Sequence, residues 1–180
     1  MIAGNRKRAL LFAGVATVLF YVALILIDRS LQDTGGPSIV GLEFAGSLGR
    51  VEEIAAEWGS HGLYLARLSL WIDFGFMVSY GAFLTLAALS IRDFARERGL
   101  GRLAAAGLVA PYLAVAAPLL DAAENITWLF LLGGHGGDLA AGFATGCASL
   151  KFLCVGLTIL YAIWGLIAWL RRRRTPTVSG

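Results

Sequence analysis

Apolar residues fill four long stretches of this chain, and short polar segments separate them. The stretches cover residues 9–27, 63–91, 103–132 and 139–170. Each is long enough for a helix that crosses a membrane, which needs about 20 mostly apolar residues. The pattern therefore predicts an all-α fold, a four-helix transmembrane bundle in which residues 1–180 form a single integral membrane domain.

The composition agrees with this prediction. Apolar residues make up 58% of the chain and charged residues 15%, whereas soluble domains are about 45–50% apolar and about 25% charged. Little chain remains for a soluble domain. The net charge of +3 is small and its basic residues lie in loops and tails, so we interpret them as topology signals and expect no nucleic-acid partner.

The distribution of charge predicts how the bundle is oriented. Arginine and lysine cluster at residues 6–8, 92–102 and 171–174, whereas segment 28–62 is acidic and segment 133–138 has no Lys or Arg. Short cytoplasmic loops carry the excess of basic residues. We therefore expect both termini in the cytoplasm and the protein in the cell membrane, plasma or inner.

The first extracytoplasmic loop contains an amphipathic pattern. The spacing predicts an interfacial helix over about residues 44–58, with acidic residues opposite its apolar face. That face is formed by Phe44, Leu48, Val51, Ala55 and Trp58. Helices that bind lipid surfaces usually carry Lys and Arg on the polar face. We therefore prefer a lid over the mouth of the bundle to a free lipid-surface binder.

Four ionisable residues interrupt the apolar stretches: Asp73, Asp121, Glu124 and Lys151. A charged residue at the centre of a bilayer costs roughly 2.5–3.5 kcal/mol on insertion scales. A rise of about 1.5 Å per residue places all four in the outer half of the membrane, at similar depth. They are therefore expected to meet one another, water or a ligand, which predicts a site without naming a reaction.

Helical phase adds further residues to this site. Asp121, Glu124 and Asn125 are spaced i, i+3, i+4 and share one face of the third helix, which Trp128 continues. Similar polar stripes run along the second and fourth helices. They consist of Ser69, Asp73, Met77 and Tyr80, and of Cys147, Lys151, Cys154 and Thr158.

The charges of the site are unequal, with three acids and one lysine. We expect Lys151 to pair with Asp121 or Asp73, and Arg67 to supply a second cation by reaching in from nearer the surface. Burial and like charge both disfavour the ionised form of a carboxyl group, so at least one carboxyl should hold a proton near neutral pH.

Motifs of known chemistry are missing from the sequence. There is no zinc-ligand spacing, no intramembrane histidine pair for haem, no nucleophile elbow and no phosphate-binding loop. We therefore predict no metal and no cofactor. Gly142 and Gly146 form a GxxxG motif, which either packs within the chain or forms a seam with a second copy or a partner membrane protein.

Three functions remain open. The first is a pocket for a small or amphiphilic, lipid-like ligand, coupled to protonation of Asp121 or Glu124. The second is a structural or assembly subunit in which the charges staple helices together. The third is an intramembrane acid–base enzyme, such as an isomerase, that uses a carboxyl and Lys151. The predicted pocket consists of Asp73, Asp121, Glu124, Asn125 and Lys151, flanked by Tyr80, Arg67 and Trp128.

Overall fold

The structure is a computed structural model that describes residues 2–173, and Met1 and residues 174–180, including Arg174 of the arginine run, lie outside the described residues. The described residues form helices and no strand. The helices are α1 Ile2–Gln32, α2 Ile39–Glu43, α3 Leu48–Glu97, α4 Gly101–Ala106, α5 Ala110–Leu132 and α6 Asp138–Arg173.

Four segments are long and apolar enough to cross a membrane, as the sequence predicted. They are Gly4–Gln32, Leu48–Glu97, Gly101–Leu132 and Asp138–Arg172. All four extend beyond the predicted apolar stretches, because the helical hydrogen bonds continue into the polar flanks. Such a flank is stabilised where the Arg6 guanidinium of α1 donates to the Asp93 carboxylate of α3.

The third apolar stretch is divided into α4 and α5. The chain leaves the α-helical pattern at residues 107–109, where the Leu108 amide donates to the Ala105 carbonyl at 3.0 Å, a tighter turn. Pro111 has no N–H to donate to the Gly107 carbonyl, which explains a break at this position. Pro118, by contrast, is accommodated inside α5.

The first part of α3 is the predicted amphipathic helix, with a corrected start. It begins at Leu48 rather than at residue 44, because Gly46 has a φ of +70° and the Ser47 hydroxyl caps the helix by accepting from the Arg50 amide at 3.4 Å. Phe44 instead terminates α2 and is half exposed. Gly59, with a φ of +61°, then separates this part from the rest of α3.

The amphipathic part of α3 packs against the bundle through its apolar face. Val51, Ile54 and Trp58 are buried and belong to the same apolar cluster as Trp128 and Leu131 of α5. This packing agrees with a lid on one end of the bundle.

Neighbouring long helices run in opposite directions. α3 packs between α1 and α5, and α6 packs mainly on α5. The Arg6–Asp93 ion pair marks one end of the bundle. At the other end, the Leu48 amide donates to the Asp138 carboxylate at 2.7 Å. The first residue of α6 therefore lies beside the first loop.

Close packing of α6 within the chain is made by alanines rather than by the GxxxG glycines. Ala141, Ala144 and Ala148 are fully buried. Gly142 and Gly146 are exposed, and a Cβ added at Gly146 would meet no atom within 4 Å. The GxxxG motif therefore does not pack within the chain, which was one of its two expected roles.

A close contact between α3 and α5 beside Tyr80 supplies a stability test. A Cβ added at Gly81 of α3 would lie 2.7 Å from the Pro118 ring of α5. We expect Gly81→Ala to lower the free energy of unfolding by about 1–3 kcal/mol, the usual effect of overpacking. Thermal unfolding in detergent measures the loss, and Gly146→Ala is the matched control. Equal melting temperatures for the two variants would contradict this prediction.

Candidate functional site

The Lys151 ammonium lies at the centre of a buried ion-pair cluster. Its Nζ is 2.7 Å from Asp121 Oδ1, 2.8 Å from Glu124 Oε2 and 3.3 Å from Glu43 Oε1. All four residues are buried. An ammonium has three N–H donors, and two of them donate to Glu43 and Asp121. We call these four residues the Lys151 cluster; they confirm the predicted buried ion pair.

Further donors stabilise the two carboxylates of α5. The Tyr80 hydroxyl of α3 donates to Asp121 Oδ2 at 2.9 Å, so both oxygens of Asp121 have a partner. The Trp128 indole N–H donates to Glu124 Oε1 at 3.3 Å. Glu124 Oε2 is close to the ammonium but has no hydrogen bond of good geometry. The predicted face of α5 therefore points into the cluster.

Asp73 lies beside the Lys151 cluster without pairing with its ammonium. The Asn125 amide donates to Asp73 Oδ2 at 2.7 Å and to the Leu70 carbonyl at 3.3 Å. The other oxygen of Asp73, Oδ1, has no donor among the described residues. Of the two predicted partners of Lys151, the structure brings Asp121 to the ammonium and leaves Asp73 with an open acceptor.

Glu43 is the site residue that the sequence analysis missed. It lies on α2, which Ser38 caps, and the Thr145 hydroxyl of α6 fixes its position by donating to the Glu43 carbonyl at 2.9 Å. In the sequence, Glu43 is one of several acidic residues in segment 28–62. The signal that marks it is the apolar run 39–42 after Ser38, inside an otherwise polar loop.

One carboxylate oxygen of Glu43, Oε2, is buried and has no hydrogen-bond partner among the described residues. Burial raises the pKa of the Glu43 carboxyl above its usual value, and the Lys151 ammonium offsets part of this rise. Asp121 and Asp28 raise the pKa of Glu43 further through like charge. The surroundings of Glu43 therefore make its carboxyl a weaker acid than that of a solvated glutamate.

Arg67 and Trp128 have different places from those predicted for a pocket rim. The Arg67 guanidinium donates to the Leu132 carbonyl at the end of α5, where a cation is favourable. Arg67 is exposed and does not supply a second cation to the Lys151 cluster. Trp128 is fully buried behind Glu124.

A cavity of about 740 Å³ opens beside the cluster, between α1 and α6. Its lining follows α1 from Thr17 to Gln32, a length of about 22 Å at the rise of an α-helix. Polar residues line one end: Asp28, Gln32, Glu43, Asp73, Asn125 and Lys151. Apolar residues predominate at the other end: Phe83, Leu84, Val155 and Ile159.

A metal site among the described residues would need several ligands close together. Within residues 2–173, no group of three His, Cys, Asp or Glu side chains is placed to hold a metal ion.

No family model, no curated protein and no solved structure matches the chain. Function has to be inferred from the geometry of the cavity and of the Lys151 cluster.

Proposed function

We propose that this protein is a multipass membrane protein that binds an amphiphilic ligand in the cavity between α1 and α6. One observation carries the proposal: the cavity is long and is polar at one end and apolar at the other. An amphiphile has the same division, and ligand sites are typically apolar clefts with a few placed polar groups.

The position of the cavity mouth favours entry from the membrane. Tyr21 of α1, Val40 of α2 and Phe152 of α6 line the cavity and are about half exposed. The open side therefore lies between two membrane-crossing helices and is apolar. A ligand dissolved in the bilayer reaches such an opening sideways, without crossing water.

We propose that the protein resides in the plasma or inner membrane of the cell. Both of its termini then lie in the cytoplasm. Arg6 and Arg92 lie at the same end of the bundle, both close to Asp93. Basic residues concentrate on the cytoplasmic side. In this orientation the first loop is an outer interfacial lid, and the polar end of the cavity lies in the outer half of the bilayer.

The cluster supplies a route for proton coupling. Glu43 lines the cavity, and burial raises the pKa of its carboxyl. Protonation of Glu43 removes a negative charge from a group that also faces Asp28, Asp121 and Lys151. The affinity for a charged ligand should therefore change between pH 5 and pH 8, and a constant affinity over this range would contradict the coupling.

Native mass spectrometry of the purified protein tests the proposed function. We expect the wild type to retain a discrete amphiphile, and Ile159→Trp to lose it because the larger side chain fills the apolar end of the cavity. Leu160→Trp is the matched control, since Leu160 is exposed and does not line the cavity. Equal retention by the two tryptophan variants would overturn the proposal.

A structural or assembly role is the second candidate. It is favoured by the Lys151 ammonium, which forms ion pairs with carboxylates of α2 and α5. These bonds tie three helices together and engage the lysine that the enzyme hypothesis requires. In this role the exposed face of Gly142 and Gly146 contacts a second copy or a partner membrane protein. Cross-linking from position 146 to one stoichiometric protein would favour it.

A further inference from the structure

Two acceptor oxygens at the polar end of the cavity have no donor among the described residues. They are Glu43 Oε2, on a residue that is nine-tenths buried, and Asp73 Oδ1, on a residue that is partly buried. Both residues line the cavity. Glu43 Oε2 is buried, and a buried acceptor without a donor is unfavourable, so structures usually satisfy it with protein, water or a ligand. The polar end of the cavity therefore lacks donors rather than acceptors.

The balance of charge at the polar end of the cavity also favours a ligand that brings donors. Glu43, Asp73, Asp121 and Glu124 face a single ammonium, that of Lys151, so the cluster with Asp73 would carry a net charge of −3 if all were ionised. This ammonium donates to Glu43 and Asp121 and lies in ion-pair contact with Glu124. A bound cation would lower the net negative charge, whereas a bound anion would raise it.

We propose that the cavity selects an amphiphile whose head group is a protonated amine, with the nitrogen between Glu43 and Asp73 and the hydrocarbon tail toward Ile159. The inference rests on the proposed function, and adds to it the chemical class of the ligand. An ammonium head supplies both the missing N–H donors and the missing positive charge. Hydrogen bonds between ionised groups are the stronger kind.

Arg29 also lines the cavity and does not change this assignment. It is exposed at the end of α1, where water screens its charge. Its neighbour Asp28 accepts from the Ile39 amide at 2.7 Å and from the Gln32 amide group at 2.8 Å. Asp28 therefore has its acceptors satisfied, and the two open oxygens remain those of Glu43 and Asp73.

Three single-chain probes that differ only in the head group test the inference: hexadecylamine, hexadecanol and hexadecanoate. Their binding to the wild type in a non-ionic detergent is measured at pH 7 by native mass spectrometry. We expect the amine to bind roughly tenfold or more tightly than the alcohol, the effect of a charge-assisted hydrogen bond. Hexadecanoate should bind most weakly. Equal binding of amine and alcohol, or tightest binding of hexadecanoate, would overturn the inference.

Variants show which residues cause the preference for the amine over the alcohol. Glu43→Gln with Asp73→Asn removes both open carboxylates, so the affinity for the amine should fall to that for the alcohol while binding of the alcohol persists. Asp73→Asn alone, which keeps an acceptor for Asn125, should lose part of the preference and serves if the double variant does not fold. Glu53→Gln is the control on the exposed face of α3.

The same measurements separate the two proposals. If the alcohol binds and Ile159→Trp abolishes this binding, the cavity takes amphiphiles even where the amine shows no advantage. In that case the inference about the head group is wrong and the proposed function stands. If none of the three probes binds to the wild type, the proposed function fails and the inference fails with it.

Discussion

Replacing Lys151 by methionine is expected to lower the free energy of unfolding by about 3–5 kcal/mol, because it removes one partner of a buried ion pair. Three carboxylates lie within 3.3 Å of this ammonium, and all of them would lose their cation. For a chain of this size the melting temperature should fall by roughly 10 °C. Thermal unfolding of the purified protein at pH 7 measures the change.

Two comparisons show whether the effect comes from charge. Leu150→Met places the same new side chain one position away, on an exposed part of α6, and should leave the melting temperature almost unchanged. Adding Asp121→Asn to Lys151→Met removes one unpaired charge and should restore part of the loss. A Lys151→Met protein as stable as Leu150→Met would mean that the cluster is not an ion-pair staple.

The same variants connect stability with ligand binding. The Lys151 cluster holds α2, α5 and α6 together, and it leaves Glu43 Oε2, on a residue that lines the cavity, without a hydrogen-bond donor. A structural role for Lys151 and a binding role for Glu43 and Asp73 are therefore compatible. Loss of stability in Lys151→Met identifies the staple, whereas loss of amine preference in Asp73→Asn identifies the binding groups.

The sequence was sufficient to predict the inward faces of the crossing helices. Ser69, Met77, Tyr80 and Thr158, all placed on polar stripes by their spacing, are buried in the structure. Charged and polar side chains are unfavourable in hydrocarbon, so helical spacing alone indicates which side of a membrane helix faces the protein. The same argument, together with similar depth, predicts Asp121 or Asp73 as the partner of Lys151, and the structure pairs Lys151 with Asp121.

Contacts that depend on the path of a loop could not be predicted from the sequence. Glu43 reaches Lys151 only because α2 folds back onto α6, and a helix of five residues has too few turns to show a periodic pattern. The break at Gly59, by contrast, lies where the predicted amphipathic helix over about residues 44–58 ends. Arg67, expected to supply a second cation, contacts the Leu132 carbonyl instead of the acids.

Trp58→Ala is expected to cost about 3–5 kcal/mol of stability, the usual range for removing a buried tryptophan. Trp58 is 2% exposed, and its indole N–H donates to the Pro37 carbonyl at 2.8 Å. Gly36 and Gly62 both pack against this side chain and have no side chains of their own to fill the space left behind. The loss should be measurable as a lower melting temperature in detergent.

The effect of Trp58→Ala should also reach the binding site. Pro37 immediately precedes Ser38, the residue that caps α2, so loss of the bond from Trp58 should loosen the segment that carries Glu43. We therefore expect faster hydrogen exchange over residues 38–47. Trp71→Ala is the matched control, because Trp71 is 64% exposed and its removal should change neither exchange nor stability by much. If exchange over 38–47 were the same in both variants, Trp58 would stabilise the bundle without positioning Glu43.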